Sequence, residues 1–154
     1  MNYWLLKSEP SVFGIDDLGA MPEATDHWDG VRNYQARNFI RDGMKQGDLA
    51  FFYHSNCKEP GIVGIVEIVR EAYPDFTALD PDSNYYDPKS SAENSRWYMV
   101  DVRFVRKFER IIPLSVLKSC PELHDLPLIR RGNRLSVMPV AESHWRFIMQ
   151  LSEQ

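Results

Sequence analysis

The clearest pattern in the chain is the alternation of Tyr98, Val100, Val102 and Phe104 with Trp97, Asp101 and Arg103. A two-residue period predicts a strand, here over Trp97–Phe108, and sets Trp97 on the side away from the apolar face. Tyr3–Lys7 reads as a first strand, stopped by Ser8-Glu9-Pro10, because proline biases the preceding residue away from helix. Leu49–Ser55 and the Val/Ile-dense Gly61–Val69, joined through Lys58-Glu59-Pro60, predict an antiparallel hairpin. A further strand is expected over Arg134–Met138.

Helical signals are short. A brief helix is expected after Ser11, and Asn33 is a good N-cap for a helix through about Asp42, ended by Gly43, with Phe39 and Ile40 inward. Another short helix follows Pro113, over Leu114–Lys118. The last helix spans about Ala141–Leu151, with Trp145, Ile148 and Met149 on one face and Trp145 in the core. Met21–Val31 has no clean period and reads as a loop. Residues 72–95, rich in Pro, Asp, Ser and Tyr, form a loop long enough to suggest a function. The fold class is therefore α+β, mainly β: a small, strongly curved sheet or barrel with short helices around it.

At 154 residues, with 44% hydrophobic and 12% aromatic content, the chain has the size and core material of one domain, residues 1–154. The apolar stretch at the N-terminus is too short for a signal peptide, and no run reaches membrane-spanning length. Cys57 and Cys120, far apart, fit a reducing compartment, so a cytoplasmic protein, or a nuclear one in a eukaryote, is expected. The net charge of −4 hides an asymmetry. Residues 96–134 carry nine Lys/Arg against four acids, a surplus of +5, while the remainder is −9. Such a split gives one face the capacity to attract phosphate, with Arg103, Arg106, Arg130, Arg131 and Arg134 as the candidates.

Candidate chemistry narrows to binding. His54 and Cys57, with Cys120 and His124, supply a zinc-like ligand set but lack the tight paired spacing of such sites, and no metal or cofactor is expected. His54 and Ser55 are adjacent in a strand and point to opposite faces, so the one cannot easily serve as base for the other, and no phosphate-binding glycine loop is present. A tryptophan beside glycine, ahead of a polar helix start, is poor core material and good pocket-wall material. Trp28, Tyr53, Tyr86 and Trp97 are the candidate flat surfaces. Lys7, Ser8, Glu9, Asn33, Ser55 and Ser136 are the polar groups, with Val31, Arg32 and His54 flanking them. Aromatic faces beside hydroxyl, amide and guanidinium groups suit a planar base.

The motifs Trp4-Leu-Leu-Lys-Ser-Glu-Pro10, Trp28-Asp-Gly-Val-Arg-Asn-Tyr-Gln-Ala-Arg-Asn38, Phe52-Tyr-His-Ser55, Gly61-Ile-Val-Gly64, Tyr73-Pro-Asp75 and Arg131-Gly-Asn-Arg-Leu-Ser-Val137 resemble, in order and end to end, the EVE domain of the PUA-like superfamily. That resemblance implies a PUA-like curved β-barrel flanked by short helices. It also implies a non-enzymatic partner for DNA or RNA carrying a modified base, 5-methylcytosine derivatives being the candidates. By likeness to the related YTH domains, Trp28 and Trp97 become the stacking candidates and Ser8, Asn33 and Ser55 the edge readers. Where the YTH cage has further tryptophans this chain has Tyr85-Tyr86-Asp87, which favours a cytosine-type base or another planar ligand over a methyladenine cage. The alternatives are a small enzyme acting on nucleotides or another planar molecule in the same pocket, or an adaptor marked by an exposed apolar patch.

Overall fold

Leu5 and Leu6, Phe51 and Phe52, Ile65 and Val66, and Val137 and Met138 are sequence neighbours that face opposite sides of one sheet, and all eight are buried. Strands buried on both faces read as continuous apolar runs instead of alternating ones, which is why these segments are so uniformly hydrophobic. The structure, a computed structural model, describes residues 1–154. Its strands are β1 (Tyr3–Ser8), β2 (Thr25–His27), β3 (Leu49–His54), β4 (Gly61–Pro74), β5 (Tyr98–Pro113) and β6 (Val137–Val140). They form one sheet in the order β2-β5-β4-β3-β1-β6, antiparallel except where β1 runs parallel to β3.

The expected β3–β4 hairpin is present, and β5 carries Val100 and Val102 into the core with Tyr98 and Phe104 packed beside them. Register shifts along β3, β4 and β5 bend the sheet, since each extra residue increases the local twist. At Gly64 a side chain is impossible: a Cβ would lie 2.3 Å from the Arg106 carbonyl oxygen. The ladder stays open, with β2 and β6 as its two edges, so the hydrogen-bonded sheet does not close on itself.

One core layer, with Trp4, Leu6, Phe52, Val66 and Val102, is covered by α2 (Ile15–Ala20) and α3 (Tyr34–Asn38), which contribute Ile15, Leu18 and Ala36. The other, with Leu5, Phe51, Ile65 and Met138, is covered by α4 (Leu114–Ser119) and α5 (Glu142–Ser152). Trp145 of α5 lies in that core, stacked on Phe51 at 3.9 Å and on Tyr3 at 4.4 Å between ring centroids. A four-residue helix, α1 (Pro10–Phe13), leads from β1 into α2. Asn33 caps α3 as expected, its side chain accepting from the Ala36 N–H at 2.9 Å. The helix continues as a π-type turn over Phe39–Gly43, with Ile40 fully buried and Phe39 partly so.

Three expectations need correction. The 21–31 stretch contains β2, whose Thr-Asp-His sequence is too short and polar to announce an edge strand. The last strand begins at Val137 and not Arg134, because Gly132, with φ +81°, and the Asn133 side chain, accepting from the Leu135 N–H, hold the preceding residues in a turn. It runs on through Pro139, tolerated because β6 is an edge. The 72–95 segment starts as strand, since β4 reaches Pro74.

Candidate nucleic-acid interface

Residues of the edge strand β2 and of the turn before β6 border one pocket of about 540 Å³. Lys7, Ser8 and Glu9 enter it from the end of β1, Val12 and Phe13 from α1, Asp26 and His27 from β2, and Trp28 to Val31 from the turn after β2. Ser55 follows β3, Tyr85 comes from the long loop, and Arg134 to Ser136 from the turn before β6. Backbone hydrogen bonds join these segments: the Lys7 N–H donates to the Ser136 carbonyl, the Ser55 N–H to that of Ser8, and the Trp28 N–H to that of Val100. The rim is thus fixed by main chain, and the expected edge reader Ser8 is itself engaged there, its hydroxyl donating to the Phe13 carbonyl at 2.7 Å.

Trp28 serves two purposes. It borders the pocket and is 7% exposed, with the Phe52 and Phe13 rings near perpendicular to its indole at 5.3 and 6.5 Å. It belongs to the core as well as to the wall, contrary to the sequence reading of it as poor core material. A further aromatic of the lining is Tyr85, set against Gly30 so closely that a Cβ there would fall 2.6 Å from the ring, with Gly30 at φ +81°. Arg32 fastens this arrangement. Its guanidinium donates to Asp75, Thr77 and the Tyr85 carbonyl, and lies 5.4 Å from the Tyr85 ring and 5.3 Å from the Trp97 ring.

Burial pushes the Asp75 carboxyl up, but donors from Thr77, Gly30 and Arg32 outweigh it and hold the group below the usual carboxylate range. Burial alone lowers Lys7. Burial also raises Asp29, against its own backbone N–H and the nearby His27. The pocket therefore combines a hydrophobic wall with basic and acidic side chains, and burial disfavours the charged form at Lys7 and at Asp29.

Residues 2–151 match the EVE domain as a protein family. The chain belongs to the EVE domain family. Human thymocyte nuclear protein 1 is 48% identical over 170 residues, which cover 99% of this chain and 75% of the human protein. Among solved structures, a Pseudomonas putida protein superposes with a TM-score of 0.93 at 51% identity, covering 97% of this chain and 99% of its own. The structure of the human THYN1 protein in complex with 5-methylcytosine containing DNA superposes with a TM-score of 0.94 at 48% identity, covering 100% and 99% of the two chains.

Within this EVE domain the pocket gathers Lys7, Ser8, Glu9, Trp28, Val31, Ser55 and Ser136 of the residues expected from sequence, and Arg134 of the expected phosphate ligands. The others lie elsewhere. Asn33 uses its side chain to cap α3. Arg32 is a brace. Tyr53 is buried in the second core layer beneath Lys7, its hydroxyl pushed up to about 12 by burial. The His54 Nε2 accepts from the Ile15 N–H at 3.1 Å, and burial lowers its pKa, which keeps the lone pair available.

Trp97 does stack, but on Tyr34 at 4.9 Å, and its indole N–H donates to Asp87. It is 7% exposed, so its position off the apolar face leads into this packing and not into open space. Tyr86 is exposed outside the pocket, and its neighbour Tyr85 takes the wall position. The positive segment is dispersed: Arg103 pairs with Glu67 at 2.6 Å, and Arg106 borders a separate polar hollow with Lys107 and Arg110. Arg130 and Arg131 lie outside both hollows. Asp26 and His27 escaped the sequence reading and Asp29 entered it only as a carboxylate for a hydrolase that the strand geometry disfavours, although three titratable side chains in four positions around Trp28 are a usable signal.

Proposed function

We propose that this EVE domain binds DNA carrying a 5-methylcytosine-type base, non-enzymatically, by drawing the base out of its stack into the pocket between Trp28 and Tyr85. The observation that carries this reading is the pocket itself. It has small-molecule dimensions, an indole and a phenol on its walls, and Ser55, Ser136 and Lys7 in its lining, in a chain that superposes along its whole length on a protein solved with 5-methylcytosine DNA. Extrusion costs a few kcal/mol and stacking returns about 1–3 kcal/mol per base, so backbone contacts from Arg134 and Lys7 are needed to complete the balance.

Residues 1–154 act as one unit in this reading. We also read the sheet as an open form of a PUA-like barrel, since side chains from β2 and from the turn before β6, at opposite ends of the strand order, border the same pocket. A binder and not a catalyst is favoured by the engagement of the His54 Nε2 with the Ile15 N–H, which removes that imidazole as a base for Ser55. The test is fluorescence anisotropy with oligonucleotides identical except for one cytosine, methylated or not, as DNA and as RNA. Preference for the methylated DNA is expected. Equal affinity for the methylated and unmethylated oligonucleotides refutes the reading, and a preference for RNA refutes its choice of DNA.

A further inference from the structure

A pocket for 5-methylcytosine must reject thymine, which carries the same 5-methyl group and nearly the same shape. No apolar wall can make that distinction. The two bases differ on the edge that extrusion exposes: at position 4 cytosine presents an amino donor and thymine a carbonyl acceptor, and at N3 cytosine presents an acceptor and thymine an N–H donor. An acceptor aimed at position 4, fixed in place and not already satisfied, is a group that makes the distinction.

Three carboxylates border the pocket, and two are engaged. Asp26 Oδ1 accepts from the His27 backbone N–H at 2.8 Å and lies 3.1 Å from the His27 Nδ1. Glu9 Oε1 accepts from the Asn56 amide at 2.9 Å. The third, Asp29, meets only its own backbone N–H and the His27 Nε2, which at 3.7 Å is beyond hydrogen-bonding distance. Its side chain is 29% exposed, between Trp28 and Gly30. The main chain is held on both sides: the Trp28 N–H donates to the Val100 carbonyl at 2.8 Å and the Gly30 N–H to Asp75 at 2.9 Å.

We propose that Asp29 is the residue that separates 5-methylcytosine from thymine, by accepting a hydrogen bond from the 4-amino group of the extruded base. The inference rests on the base-binding reading above. A carboxylate in this position meets the amino group as a charge-assisted bond, whereas the O4 of thymine would face it acceptor to acceptor. Burial already disfavours the bare charge here, so a donor that relieves it gains more than it would in water.

The experiment compares the full-length protein with its Asp29→Asn and Asp29→Ala variants on oligonucleotides that place 5-methylcytosine, thymine, 5-methylpyrimidin-2-one or an abasic residue opposite an abasic site, so that pairing strength does not enter. The wild type is expected to favour 5-methylcytosine about ten- to a hundredfold over thymine, and over the pyrimidinone that lacks the amino group. Asn presents donor and acceptor alike, and its variant should compress the 5-methylcytosine-to-thymine ratio to within about threefold. The pyrimidinone arm uses only wild-type protein and so does not depend on either variant folding.

A ratio that survives in Asp29→Asn or Asp29→Ala, or a wild type indifferent to loss of the amino group, overturns the assignment while leaving base binding intact. A wild type that binds 5-methylcytosine no better than the abasic strand overturns both.

Discussion

Replacing Trp28 by Ala tests whether one indole can be both core and pocket wall. The side chain is 93% buried by its 7% exposure, and a tryptophan buries about 200 Å², worth about 5 kcal/mol at 25 cal/mol per Å². The full cavity penalty does not apply, because the vacated space merges with the pocket and fills with water. The loss should therefore sit at the low end of the usual range for such truncations, about 3 kcal/mol. For a chain of this length that is a fall in melting temperature of roughly 6–12 °C. Chemical denaturation gives the free energy, and differential scanning fluorimetry the melting shift. Trp28→Phe should recover about half the stability, since Phe13 and Phe52 retain a ring to pack against. Binding to the methylated oligonucleotide, measured well below the melting point, should weaken at least tenfold in Trp28→Ala. A stability change under 1 kcal/mol would refute the core assignment, and unchanged binding by the folded variant would refute the wall assignment.

Asn33→Ala should cost about 1 kcal/mol of stability through the lost cap of α3, while the ratio of affinities for methylated and unmethylated DNA stays constant; a changed ratio would return Asn33 to the reading site. Asp75 has a folded pKa below its unfolded value, so its contribution is complete above the ordinary carboxylate range and is lost as pH falls through the folded value. Asp75→Ala, which removes the carboxylate paired with Arg32, should destabilise by about 3–5 kcal/mol at neutral pH and flatten the acid limb of a stability-against-pH curve, and an unchanged acid limb would show that other carboxylates control it. Binding should weaken as salt rises. Arg134→Gln should lower the log–log slope by about 0.9 for duplex DNA, whereas Arg103→Gln should leave it unchanged because Glu67 already neutralises that guanidinium; equal effects would mean that the whole β5 face contacts phosphate.

What was legible in the sequence follows from how local each signal is. The alternation in β5, the Asn33 cap and the apolar face of α5 depend on neighbours within one turn or one pleat, and they are found where expected. Trp28 was assigned to the pocket from its polar and glycine neighbours, but the rings that also bury it come from residues 13 and 52. Trp97 was placed correctly off the apolar face of β5, yet parity says only which way a side chain leaves the sheet. The Tyr34 ring at the start of α3 and the Asp87 of the long loop that receive it are set by tertiary placement and not by parity. Between Tyr85 and Tyr86 no periodicity decides, because the segment has no regular structure; the Arg32 brace decides. A count of positive charges along the chain likewise could not reveal that Glu67 faces Arg103 across two strands or that Arg106 opens on a different hollow.

The position of β1 sets when the pocket becomes complete. Tyr3 pairs with Leu49 on one side and Val140 on the other, so the first strand made is the last to be enclosed. Early β1 can rest in parallel on β3, but its second edge stays bare until β6 emerges, some 130 residues later. Pairings this distant in sequence place the chain among slow-folding topologies, in milliseconds to seconds, and leave an apolar strand exposed during synthesis. The pocket rim follows the same timetable, because Lys7 is held to Ser136 and Arg134 arrives in the same turn. A ribosome-bound chain that has released β1 through β5 already owns Trp28, Tyr85 and Asp29, yet has no closed site. On the base-binding reading proposed above, the site is complete only once β6 has docked, so binding requires the finished fold.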